Sequence, residues 1–137
     1  MKEITPYLNF DGTCREAMTF YQGVLGGEMF VMTFGEGEFD SPPEARDRLI
    51  HARLTRGSMV LMASDSMPGM ELKKGNDVWL NLQCETDEEV DALYPKLSDG
   101  GQGMMAPHDA FWGSRFAMLT DRFGFHWMLN HERQPIG

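Results

Sequence analysis

Residues 111–130 read "FWGSRFAMLTDRFGFHWMLN", and the alternation inside this stretch decides how the chain folds. Phe125, Trp127 and Leu129 recur at every second position, the period of a strand with one buried face, which leaves His126, Met128 and Asn130 for the other face. "WGS" (112–114) and "DRFG" (121–124) are turn sequences, so "RFAMLT" (115–120) and "FHWMLN" (125–130) are successive strands, preceded by a third in "GMMAPHDAF" (103–111).

Upstream of these strands the period changes. In "TDEEVDALYPKLSDG" (86–100), Val90, Leu93, Tyr94 and Leu97 are spaced as one face of a helix, and "VWLNL" (78–82) reads as a strand before it. The second half is therefore strand, helix and three strands, and the first half repeats it. "PYLNF" (6–10) aligns with "VWLNL", matching Leu8 and Asn9 to Leu80 and Asn81. After a one-residue gap, "TCREAMTFYQGVLGG" (13–27) aligns with 86–100, pairing Thr13/Thr86, Glu16/Glu89, Tyr21/Tyr94 and Gly27/Gly100.

Ala17, Phe20, Tyr21 and Val24 repeat the helical spacing. Each helix opens with Thr and carries Glu three positions later, the capping-box pattern, and each ends at a glycine pair. "EMFVMTF" (28–34), an acidic Pro-containing loop, "LIHARLT" (49–55), the turn "RGS" (56–58) and "MVLMAS" (59–64) complete the first copy. The expected architecture is α+β: one domain over 1–137, with module 1 at about 1–65, a polar linker at 66–76 and module 2 at about 77–131.

A chain of 137 residues buries roughly two thirds of its unfolded surface, enough for a core without staples. No apolar run approaches the ~18 residues of a membrane-spanning helix, and the first residues lack the apolar core of a signal peptide, so a cytoplasmic protein without membrane contact is expected. Cys14 and Cys84 lie 70 residues apart without metal-ligand spacing and are expected as reduced thiols. Near a helix start the dipole could lower the Cys14 pKa, but an incidental small residue is the commoner case. With 21 acidic and 12 basic residues the net charge is −9, the wrong sign for a nucleic-acid partner. Twelve methionines fill gaps in a core or make an adaptable binding surface.

The doubled βαβββ unit, with "PYLNF", "FYQGVLGGE" and "FWGSRFAMLTDRFGFHWMLN" in that order, resembles the vicinal-oxygen-chelate, or glyoxalase/bleomycin-resistance, superfamily, and within it the PhnB-like group. The likeness covers nearly the whole chain, and Trp112, Gly113, Asp121, Phe123, Gly124, Trp127 and Asn130 form its most specific pattern. It implies that the two modules form a half-open curved sheet, a cup, with helices on the outside and a ligand on the concave side. Homodimers are usual for the architecture. A demethylubiquinone methyltransferase label is used for members of this group, but the chain has no Gly-rich loop opening a helix in a doubly wound pattern.

In metal-dependent relatives, His and Glu from the first and last strands of the modules hold a divalent ion that stabilises an oxyanion. The resemblance places Met128 at the glutamate position, Trp79 and Tyr7 (or Pro6) at the histidine positions, and Leu61, Met62 or Ala63 at the fourth. None is a hard ligand, so neither a metal nor another cofactor is expected. His51, His108, His126 and His131 show no ligand spacing.

A binding lining remains for the cup. Tyr7 and Asn9 share a strand face, as do Trp79 and Asn81. These side chains suit a planar or polar small molecule, although the asparagines could instead cross-link strands. Ile50, Ala52 and Leu54 read as helix-facing, which turns His51 and Arg53 toward the cup, where the guanidinium fork suits an anion unless a neighbouring carboxylate takes it. Trp112 lies at a hairpin tip over the pocket mouth, and one of Met104 and Met105 can face inward beside Met128. The expected function is small-molecule binding in the cup without a catalytic divalent metal. One alternative is an enzyme of the glyoxalase or dioxygenase type, or one using His126 as general base; the other is a dimeric assembly module with a filled cup.

Overall fold

The strand and helix periods are realised in two compact units, Met1–Lys73 and Lys74–Gly137, in a computed structural model that describes residues 1–37 and 41–133. Glu38, Phe39 and Asp40 of the expected acidic loop lie outside the described residues.

In the first unit β1 (Tyr7–Phe10) is followed by α1 (Cys14–Leu25), β2 (Glu28–Thr33), β3 (Leu49–Arg56) and β4 (Met59–Asp65). The sheet order is β1-β4-β3-β2, with β1 parallel to β4 and the other pairs antiparallel. Ala17, Met18 and Tyr21 of α1 are buried, as are Ala52, Leu54, Leu61 and Ala63 on the sheet, so the core lies between the helix and β3 and β4. The second unit repeats this with β5 (Leu80–Gln83), α2 (Asp87–Ser98), β6 (Gln102–Asp109), β7 (Ser114–Thr120) and β8 (His126–Glu132), in the order β5-β8-β7-β6. Here Val90 and Leu97 of α2 are buried, together with Ala117, Leu119, Trp127 and Leu129. Gly103 lets α2 sit close to β6, because a Cβ there would stand 1.9 Å from the Tyr94 hydroxyl. Among the described residues no helix is long and apolar enough to cross a membrane.

The two helix starts are built differently, which corrects the expectation of a capping box in both. At α2 the cap is present: the Thr86 Oγ1 accepts from the Glu89 amide at 3.1 Å, while the Glu89 carboxylate reaches one residue beyond the N-cap, to the Glu85 amide at 3.0 Å. At α1 the Thr13 side chain makes no cap. Asp65, at the end of β4, accepts instead from the amides of Gly12 at 2.8 Å, Cys14 at 3.0 Å and Leu49 at 2.9 Å. A side chain distant in sequence thus satisfies donors that a local cap would serve.

The internal repeat also shifts. The burial pattern of β3 matches that of β7, with Leu49, Ala52 and Leu54 corresponding to Ser114, Ala117 and Leu119. Ala63 and Leu129 face Ala52 and Ala117, while Leu8 and Leu82 pair with Ala63 and Leu129, so Leu8 corresponds to Leu82. Asn9 then corresponds to Gln83, two positions from the Asn81 of the sequence alignment. Side-chain chemistry agrees: Ser64 Oγ donates to Asn9 Oδ1 at 3.4 Å, and Asn130 Nδ2 to Gln83 Oε1 at 2.9 Å, at equivalent places on the two parallel strand pairs. A shift of two preserves the facing of every side chain, which is why periodicity alone does not detect it.

Two further expectations change at bulges. The register of β2 and β3 steps from Met32↔His51 to Thr33↔Leu49, leaving Ile50 unpaired, and Leu49 rather than Ile50 is the fully buried residue. On β6 the register steps from Gly103↔Leu119 to Met105↔Met118, so both Met104 and Met105 stand opposite Met118. The doublet is therefore not split between faces by simple alternation.

Candidate functional site

Each sheet has a face turned away from its helix, and the expected site residues gather there. In the second unit Ala117, Leu119, Trp127 and Leu129 take the helix side, so Phe116, Met118, Thr120, His126 and Met128 take the other. Strand register aligns these residues in rows. One row runs Asn81, Met128, Met118 and Met105 across β5, β8, β7 and β6. On one side of it Thr120 pairs with His126, and the Met104 sulfur accepts from the Thr120 hydroxyl at 3.4 Å. On the other, Gln83, Asn130, Phe116 and His108 form a parallel row.

Trp79 lies just before β5 rather than within it. Its Nε1 donates to the Asn76 carbonyl at 2.9 Å, and its ring stands 4.8 Å from the His126 ring at 31°. Both His126 nitrogens are engaged, Nδ1 with Thr120 Oγ1 at 2.9 Å and Nε2 with the Gly75 carbonyl at 3.1 Å. With Lys74 bound to the Phe123 carbonyl and poised 5.0 Å from the Phe125 ring, residues 74–76 of the expected linker are fastened onto β8 and the turn before it. At the far end Trp112 meets Phe116 edge-on at 5.4 Å, with Phe111 at 5.0 Å beyond it. Asn130 is 92% buried on the same face, and its Oδ1 has no hydrogen-bond partner among the described residues.

In the first unit Tyr7, Met62, Arg53 and Phe30 form one row across β1, β4, β3 and β2. The Tyr7 hydroxyl is 3.0 Å from His51 Nδ1, and the Arg53 guanidinium carbon lies 5.8 Å from the Phe30 ring centre. The structure thus brings Tyr7 to His51 and Arg53 to Phe30, and links Asn9 to Ser64 between adjacent strands.

The other titratable groups serve the scaffold. Arg133 binds Asp87 and Asp109, Arg115 binds Asp91 and Asp109, and His131 Nδ1 meets Asp87 at 2.8 Å, joining α2 to the ends of β6, β7 and β8. Hydrogen bonds from Arg133 and His131 hold the Asp87 pKa down at about 2. His108 Nδ1 meets the Ala106 carbonyl at 3.0 Å. Burial pushes both thiols up to about 12, assisted at Cys14 by the nearby Asp65 charge, so the helix dipole does not activate Cys14.

The divalent metal implied by the superfamily does not fit these residues. Of the positions in question, Tyr7 pairs with Met62, while Trp79 and Met128 belong to the second unit; together they offer a phenol, an indole and two thioethers, a donor set ill suited to Zn, Ni, Mg or Mn. Among the described residues no three His, Cys, Asp or Glu gather as a metal site would require.

Sequence reasoning missed Phe116 and Met118, which alternate with buried Ala117 and Leu119 and were legible from that alternation. It also missed Phe30, and Gln83 was hidden by the shifted repeat. The unpartnered Asn130 oxygen leaves no sequence signal, because partnership is a tertiary property.

Comparison with known proteins agrees with this architecture. The family model described as 3-demethylubiquinone-9 3-methyltransferase matches residues 2–130. Protein PA1353 from Pseudomonas aeruginosa is 37% identical, with a TM-score of 0.84 over 96% of this chain and 98% of that one. The PhnB protein from Bacillus cereus, which carries the same family description, is 26% identical with a TM-score of 0.77, covering 95% and 99% of the two chains. A glyoxalase/bleomycin resistance protein/dioxygenase family enzyme from Burkholderia phytofirmans PsJN shares the fold at 22% identity and a TM-score of 0.63, over 92% and 96%. The chain belongs to the PhnB-like family described as 3-demethylubiquinone-9 3-methyltransferase.

Proposed function

We propose that this protein binds a small organic molecule on the helix-free face of its second sheet, without a catalytic divalent metal. The observation that carries the reading is the Asn130 Oδ1, a buried acceptor lacking a partner among the described residues, on the same face as Met118, Met128 and Phe116. Leaving such an atom unmet costs about 1–3 kcal/mol, and a ligand hydroxyl or N–H would recover it. The methionine row supplies adaptable apolar area, the Trp79 and Phe116 rings supply planar contacts, and one amide fixes orientation.

Two other chemistries gain less support. His126 has both ring nitrogens in hydrogen bonds, which suits a positioning role beneath Trp79 better than proton abstraction. Methyl transfer, named by the family description, needs a place for a methyl donor, and the loop opening α1 has the Gly12 and Cys14 amides committed to Asp65.

A thermal-shift screen of ketoacids, quinones, phenols and aromatic antibiotics tests the reading, with hits repeated on Trp79→Ala and Met128→Glu. Hits should weaken about tenfold or more in both variants, the scale expected when a stacking ring or an apolar contact is lost. Hits indifferent to both changes would sink the assignment. Stoichiometric Zn, Ni, Mn or Fe surviving dialysis would overturn its metal-free part.

A further inference from the structure

We infer that the first unit carries a recognition site for an aromatic carboxylate, built from Arg53, His51, Tyr7 and Phe30 on the helix-free face of its own sheet. Arg53 is the starting point. In a chain with nine more acidic than basic residues, carboxylates are plentiful, and Arg48, Arg115, Arg122 and Arg133 pair with one, whereas Arg15, Arg46, Arg53 and Arg56 do not among the described residues; of these four, only Arg53 stands over an aromatic ring. Among the described residues no carboxylate pairs with Arg53, which is exposed. Its only charge-related contact there is the Phe30 ring, at 5.8 Å.

A second donor stands beside it. His51 lies two residues away on β3, so both side chains project from the same face at about 7 Å spacing. The Tyr7 hydroxyl and His51 Nδ1 are 3.0 Å apart, and no partner for Nε2 occurs among the described residues, so Nε2 is open to donate to a ligand in the tautomer that carries the proton there. A planar guanidinium fork beside an N–H suits the two oxygens of a carboxylate.

The apolar part of the site is aromatic. The His51 ring lies 5.8 Å from Tyr7 and 6.4 Å from Phe30, both tilted, so three rings lie in a chain of which Phe30 meets the cation. Phe30 and Tyr7 are 46% and 45% exposed, far more than packing alone requires of such side chains. A ligand ring covering them would remove apolar surface from water while its carboxylate meets Arg53. Aliphatic acids would gain the charge contact alone, and neutral aromatic compounds the ring contact alone.

The three tryptophans, at 79, 112 and 127, all belong to the second unit, so their indole signals report on that unit and the His51 ring signals on the first. The test is a proton NMR titration of the full chain with sodium benzoate, following the His51 ring signals assigned through His51→Gln, with the tryptophan indole signals recorded in parallel. Benzoate should shift His51, whereas acetate and benzyl alcohol at equal concentration should shift it weakly. Arg53→Gln should lower benzoate affinity about tenfold or more, and Arg53→Lys should restore part of it, since the charge returns without the fork. Raising the salt concentration should weaken binding. Unmoved His51 signals, undiminished affinity in Arg53→Gln, or equal binding of acetate would each overturn the inference. Benzoate shifting only the indole signals would overturn it while leaving the reading of the second unit standing.

Discussion

Trp127 Nε1 donates to Asp121 Oδ2 at 2.8 Å, and both residues are buried. The other oxygen of Asp121 accepts from the amides of Phe123 at 2.8 Å and Phe125 at 3.1 Å, so one side chain closes the turn and pins the strand that follows. Gly124 completes the turn at φ +89°, where a side chain would be strained. The Asp, Gly and Trp of the closing sequence pattern are thus one structural device. Asp121→Ala strands three donors and should destabilise the protein by about 3 kcal/mol or more, measured by urea unfolding. Trp127→Phe should cost less, about 1–2 kcal/mol, because it removes one donor and retains most of the ring.

The contrast between the helix starts gives a paired prediction. Thr86→Ala should cost about 1 kcal/mol, since the Thr86 hydroxyl caps the Glu89 amide. Thr13→Ala should change stability by less than about 0.5 kcal/mol, because no cap is lost. Asp65→Ala should cost several times more than either, as it strands the Gly12, Cys14 and Leu49 amides together. A cost for Thr13→Ala matching that of Thr86→Ala would contradict the structure.

Neither cysteine should behave as a reactive thiol. With both pKa values pushed up to about 12 by burial, the thiolate fraction at pH 8 is about one in ten thousand. The native protein should react with a chromogenic disulfide far more slowly than free cysteine, and both thiols should react promptly in denaturant. Rapid labelling of Cys14 in native protein would refute its burial.

Asp87 sets an acid-side dependence. Its pKa falls from 3.8 unfolded to about 2 folded, chiefly through hydrogen bonds from Arg133 and then His131. A depressed folded value means that its contribution is fully present above about 3.8 and is lost as the pH falls toward about 2. Asp87→Asn should therefore flatten the stability profile between about pH 4 and pH 2, and added salt should shrink the difference because the carboxylate is partly exposed. An unchanged acid slope in Asp87→Asn would remove Asp87 as its source.

Much of the fold was legible because periodicity and turn chemistry are local. The spacing of Val90, Leu93, Tyr94 and Leu97 fixed α2, although Pro95 lies inside it, and "RGS" and "DRFG" marked the hairpin turns. Reading His126 and Met128 onto one face, and Trp127 and Leu129 onto the other, needed only the two-residue period of a strand. What resisted was anything set by a distant partner. Thr13 and Thr86 look alike in sequence, yet only the second caps its helix, because only α1 has Asp65 within reach.

The candidate site divides along the same line. The sequence by itself determined which residue types populate the helix-free faces, since alternation assigns Arg53, His51, His126 and Met128 to them whatever the exact register. Only the tertiary structure decided their neighbours. Register across four strands placed Arg53 beside Phe30 and lined Met105, Met118 and Met128 in one row, while two bulges moved Ile50 and Met104 off simple alternation. A hydrogen bond left unmade, like that of Asn130 Oδ1, exists only once every possible partner has been placed, and that placement belongs to the folded chain.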